Sequence, residues 1–157
     1  DPIGTIALFL FRFGWAKPVP IDPRNFRHPT RDMAISSLAG PAANLLTAAV
    51  AGLVLRVLIL FHVGGFIATL ISYFVLFNLI LCFFNLIPIP PLDGSRLLYH
   101  LLPPDLAASY ARLERYGFII LIGIIFLGQF TGINLLWLYM DPLLRIFSLI
   151  FVGRQII

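Results

Sequence analysis

The chain reads as an all-α membrane protein, a single-domain bundle of about four transmembrane helices. Three observations predict this. Of its 157 residues, 60% are hydrophobic and 11% are charged, against roughly 25% charged in soluble domains. Its mean hydropathy is +0.98, which implies more apolar surface than a soluble protein of this length can hide. The apolar residues form long runs broken by Pro and Gly, and Lys and Arg gather in only some of the breaks.

The N-terminal stretch, residues 1–31, is mixed. Residues 3–13 are apolar but too short to cross as a helix, which needs about 20 residues. Phe9, Phe11 and Phe13 share one face of an extended segment, so a strand-like or re-entrant element is expected there. Gly14, Pro18, Pro20, Pro23 and Pro29 keep the following residues irregular. The first long helix is expected over 32–61, with Thr30 or Asp32 as its N-cap. A His62-Val63-Gly64-Gly65 turn leads to a second helix over 65–84.

The next segment is the most informative of the chain. In Asn85-Leu86-Ile87-Pro88-Ile89-Pro90-Pro91-Leu92-Asp93-Gly94, the prolines forbid an α-helix, because each lacks an N–H and clashes with the preceding turn. The chain leaves its helix extended and delivers the Asp93 carboxylate beside a helix end at membrane depth. Non-helical backbone at that depth is tolerated only within protein or along a wet cavity. An ionisable residue there is a candidate functional site. A short helix over 93–102 is expected next, stopped by Pro103-Pro104. A polar stretch over 105–115 leads to a third long helix over 116–130, and Thr131-Gly132 separates this from a fourth over 133–152.

Charge placement supports this order. Arg12, Lys17, Arg24, Arg27 and Arg31 precede the first long helix; Arg96, Arg112 and Arg115 lie between the second and third; Arg154 follows the fourth. By the positive-inside rule the chain is a multi-pass cell-membrane protein with both ends and the Asp93 loop cytoplasmic. The net charge of +4 is thus read through topology, and no nucleic-acid partner is expected. Arg56 and Arg145 fall within spans; Arg56 either snorkels to the far interface or faces the bundle. Cys82, the single cysteine, excludes an internal disulfide and a cysteine-based metal cluster.

Few side chains could carry chemistry. Ser36, Gly40, Asn44, Ala48 and Gly52 form an i+4 stripe of small residues, which lets membrane helices approach closely. Packing explains most of that face, while Asn44 also suits a substrate cleft. Asn78, Cys82 and Asn85 draw a polar line about 10 Å long on an oily helix; it ties helices together or walls a polar cavity. Asp93 opens the short helix and suits an N-cap. As a metal ligand it would need partners, and the histidines are only His28, His62 and His100. Catalytic zinc takes three protein ligands plus water, which one carboxylate and one nearby histidine do not supply. The residues alone therefore leave a polar, metal-capable pocket or a non-catalytic scaffold or transporter-like subunit with a polar cavity at Asp93.

The Asn85–Gly94 sequence resembles the second signature of the site-2 protease family of intramembrane zinc metalloproteases. Residues 1–20 resemble the family's stretch after its first catalytic helix, and Ala39-Gly40-Pro41-Ala42-Ala43-Asn44 resembles its next transmembrane segment. The resemblance implies that Asp93 is the third zinc ligand and that Asn85 shapes the site or holds substrate backbone. It also implies that residues 3–13 form a re-entrant element near the cleft. The family's other two ligands and its general base come from a His-Glu-x-x-His motif, which does not occur in these 157 residues. The chain is accordingly expected to be the C-terminal part of a longer protease domain. Its partners would be the lipid bilayer, a transmembrane protein substrate and the preceding helices of the same protein. Alone it would be catalytically incomplete and would not hold zinc.

Overall fold

Pro29 starts the first helix, because its missing N–H is one the first turn leaves unbonded anyway. A computed structural model describes residues 27–156, and among these it has six helices and no strand. The expected re-entrant element at 3–13 lies outside the described residues. Helix α1 spans Pro29–Leu60. It begins ahead of the Thr30 or Asp32 cap position: His28 is the N-cap, and Asp32 Oδ2 accepts from the His28 N–H at 3.1 Å.

A tight turn through His62, with φ 56, and Gly65, with φ 83, reverses the chain into α2, Phe66–Asn85. Ala48 and Leu55 of α1 pack with Val75, Leu79, Cys82 and Phe83 of α2 to form the main core. Hydroxyls inside these helices are satisfied locally: Thr47 Oγ1 donates to the Ala43 oxygen and Ser72 Oγ to the Ala68 oxygen, each at 2.8 Å. That economy is what a bilayer demands of polar groups.

After the proline segment come α3, Asp93–Leu101, and α4, Pro104–Glu114. The latter is the polar stretch expected at 105–115, and it is helical. Pro104 sits in the first helical turn with Asp105, and Arg112 in the last turn complements the helix dipole. Helix α5, Gly117–Thr131, is apolar but has 15 residues, about 22 Å against a hydrocarbon core of about 30 Å. Helix α6, Leu135–Val152, is capped by Asn134, whose side chain accepts from the Trp137 N–H at 3.0 Å. It buries Met140, Leu144, Ser148 and Val152, one residue per turn along a single face.

Among the described residues three helices, α1, α2 and α6, are long and apolar enough to cross a membrane. Their outward faces carry large exposed apolar side chains, with Phe66 81% exposed, as a lipid-facing surface should. Helix α6 runs parallel to α1. A Cβ on Gly52 would lie 2.7 Å from Phe151 Cβ, and one on Gly153 would lie 3.2 Å from the Arg56 guanidinium. Arg56 thus faces the bundle at the C-terminal end of α6, where unpaired carbonyls favour a cation. Arg145 pairs with Asp141 one turn away at 2.8 Å.

This places the C-terminal end of α6 at the α1–α2 turn, away from Asp93. The expected even number of crossings would have returned it to the Asp93 side. The difference arises at α5, which starts against Pro90 and delivers the chain to α6 at the same end of the bundle. There Leu121 packs with Ile87 and Leu92, and Leu136 packs against them.

Candidate functional site

The site begins where α2 stops. Leu86 and Ile87 still donate backward, to the Cys82 and Phe84 oxygens. Beyond them only the non-proline residues have N–H groups, and these close short turns: Ile89 to the Ile87 oxygen at 2.8 Å and Leu92 to the Ile89 oxygen at 3.0 Å. The Pro90–Pro91 peptide is cis. Gly94 then packs so tightly on the Leu86 and Ile87 carbonyls that no Cβ fits. That contact folds Asp93 back toward the Asn85 end of α2.

Asp93 occupies the first position of α3, with Leu92 as the N-cap and no side-chain cap bond. The Ser95 hydroxyl binds the Leu92 oxygen at 2.7 Å. The carboxylate is therefore not used as a cap. Instead, Asp93 Oδ2 approaches α1 at Gly40, where a Cβ would stand 3.0 Å from it. Gly40 lies about 16 Å from the start of α1, so the carboxylate sits well inside the helical layer. Asp93 is half-buried.

Asn85, the last residue of α2, and Asn44, one turn beyond Gly40 on α1, are both half-buried at this end of the bundle. Asn78 sits two turns back along α2 and gives its amide to the Phe74 oxygen at 2.8 Å. Two contacts escaped the sequence reading. Tyr110 of α4 donates its phenolic O–H to the Pro88 oxygen at 2.9 Å, and Gly117 abuts the Pro90 backbone. Their cues were faint: an aromatic within a stretch read as polar, and a glycine opening an apolar run.

Beside the proline segment lies a half-open cleft of about 320 Å³, lined by Ser95, Arg96, Tyr99 and His100 of α3 and by Tyr110 and Glu114 of α4. Burial lowers the His100 pKa below the ordinary imidazole value. Burial raises the Tyr110 phenol, the adjacent Ser95 opposes this, and the Glu114 charge adds to the rise.

Among the described residues, no three His, Cys, Asp or Glu side chains gather as a metal site. Asp93 fits the role of one anionic ligand, open toward α1 and unspent on its own helix. The described residues do not complete a zinc set, which needs at least two more donors.

Among the described residues, three helices long and apolar enough to cross a membrane, with a half-buried carboxylate delivered by a proline turn, mark a multi-pass membrane protein. Comparison with known proteins specifies it further: the chain belongs to peptidase family M50, the site-2 protease family. The model of that family matches residues 60–128, from the end of α1 through Asp93 into α5. Over 164 aligned positions the chain is 35% identical to a Bacillus subtilis (strain 168) protein described as "Putative zinc metalloprotease YwhC", covering 96% of this chain and 73% of that protein. No solved structure matches the chain.

Proposed function

We propose that this chain contributes Asp93 as the third protein ligand of a zinc ion in a protease that cleaves transmembrane substrates within the bilayer. The other two ligands and the general base would come from a His-Glu-x-x-His segment outside these 157 residues. The observation that carries this reading is the carboxylate itself, which caps no helix and is directed at Gly40. A zinc ion there would supply Lewis-acid activation of water and of the scissile carbonyl.

The chain's own residues would do the rest. Gly94 and Gly40 hold Asp93 between α2 and α1, the first by close packing and the second by leaving room. Asn85 and Asn44 offer amides to the backbone of an unwound substrate, whose N–H and C=O groups need partners in hydrocarbon. Asn78 serves its own helix and stays outside this set. Alone, the chain would retain zinc weakly and cleave nothing. The Asp93 end, with Arg27, Arg31, Arg96, Arg112 and Arg115, would face the cytoplasm, and Arg154 the opposite side.

Asp93→Asn in the full-length protein tests the reading, assayed for zinc content and for cleavage of a transmembrane substrate. Loss of both is expected, because the anionic ligand is removed. Wild-type zinc and cleavage would remove the metal from this part of the molecule.

A further inference from the structure

The prolines that keep Asp93 out of a long helix also strip its segment of donors, so the segment's carbonyls need outside partners. One partner arrives from 22 residues away: the Tyr110 phenol, 2.9 Å from the Pro88 oxygen. The same ring lies against Ser95, whose hydroxyl is already committed to the Leu92 oxygen. Tyr110 therefore meets the chain both before and after Asp93. Gly117 supplies the second hold, its backbone pressed on Pro90. Both holds belong to the α4–α5 unit, which leaves the main core to α1, α2 and α6.

We propose that Tyr110 is a positioning residue for Asp93. Its hydrogen bond to the Pro88 carbonyl sets where the proline segment stands, and with it the distance of the Asp93 carboxylate from Gly40. The proposal rests on the reading of Asp93 as a zinc ligand. A metal ligand must be held within about 0.5 Å of its working place, and a segment with so few internal bonds does not secure that alone. The phenol has no contact with reacting atoms; it acts through Asp93.

The test uses the full-length protein in lipid nanodiscs, comparing Tyr110→Phe with Tyr99→Phe. Tyr99 lines the same cleft, is 41% exposed and makes no hydrogen bond to the proline segment among the described residues. Zinc release to a chelator, the absorption spectrum of the cobalt-substituted protein and the unfolding temperature of the metal-free protein are read for each. Tyr110→Phe is expected to speed zinc release about fivefold, the worth of one typical hydrogen bond. It should also shift the cobalt spectrum, with metal-free unfolding lowered by no more than the worth of that one hydrogen bond. Tyr99→Phe should match wild type in all three.

A wild-type release rate and spectrum for Tyr110→Phe, or equal shifts for both variants, would overturn the assignment. Should Tyr110→Phe not fold, a fluorinated tyrosine at 110 keeps the hydroxyl but makes it more acidic. The cobalt spectrum should then change at a lower alkaline pH than in wild type, and an unchanged pH profile would also overturn it. Asp93→Asn in the same assay separates the two readings. Zinc lost from Asp93→Asn but kept normally by Tyr110→Phe defeats only the positioning role, whereas zinc kept by Asp93→Asn defeats both.

Discussion

At the scale of the residue, two changes near Asp93 separate folding from metal binding. The side chain makes no cap bond, so Asp93→Asn should change metal-free stability by no more than about 1 kcal/mol, the worth of a carboxylate in a first helical turn. Denaturant unfolding in micelles measures this. Gly40→Ala sets two effects against each other. Alanine is favoured over glycine inside a helix by about 1 kcal/mol, yet its methyl would stand 3.0 Å from Asp93 Oδ2. The full-length Gly40→Ala protein should unfold no more easily than wild type while cleaving several-fold more slowly. Equal cleavage would show that the carboxylate yields without cost. The placement of Asp93 and Asn85 at the break between two helices was legible in the sequence because prolines announce the end of a helix. Gly40 as the neighbour of Asp93 was not, since a stripe of small residues signals close approach without naming the partner.

At the scale of the element, α4 and α5 repay the closest reading. The stretch read as polar is a helix with its start and stop signals in place, Pro104 and Asp105 at one end and Arg112 at the other; low hydropathy had outweighed them. Two glycines of α5 make a matched pair. Gly117 abuts the Pro90 backbone, while a methyl added at Gly123 would meet nothing within 4 Å. Gly117→Ala should therefore lower the unfolding temperature clearly, and Gly123→Ala should leave it equal or higher. The α3–α4 cleft carries a pH dependence of definite sign. Burial holds the folded-state pKa of His100 below its ordinary value, about 6.5 for histidine. Above that value both folded and unfolded chains are neutral there, and stability is unaffected. Below it the unfolded chain takes the proton more readily, so stability falls as the medium becomes more acidic. His100→Gln should flatten that loss in unfolding curves recorded between about pH 6.5 and 5.

At the scale of the molecule, the described residues hold three helices long enough to cross and one shorter apolar helix. Hydropathy alone treats α5 as a further span, because it records composition and not whether a helix turns back to the end it left. Packing decides this: Leu121 of α5 and Leu136 of α6 meet Ile87 and Leu92 beside the proline segment. The consequence is open to cysteine labelling with a membrane-impermeant maleimide. Arg112→Cys should react only from the cytoplasmic side and Arg154→Cys only from the other side. Labelling of both from one side would restore an even number of crossings.

The hold of Gly117 on Pro90 also sets an order of events at the ribosome. Asp93 leaves the exit tunnel about two dozen residues before Gly117, an interval of about 1 to 5 s at ordinary translation speeds. During that interval α1 and α2 can already pair, while the proline segment lacks its phenol contact until Tyr110 emerges and its glycine contact until Gly117 follows. The Asp93 segment of a chain with this architecture therefore takes its final place only after the start of α5 has been translated.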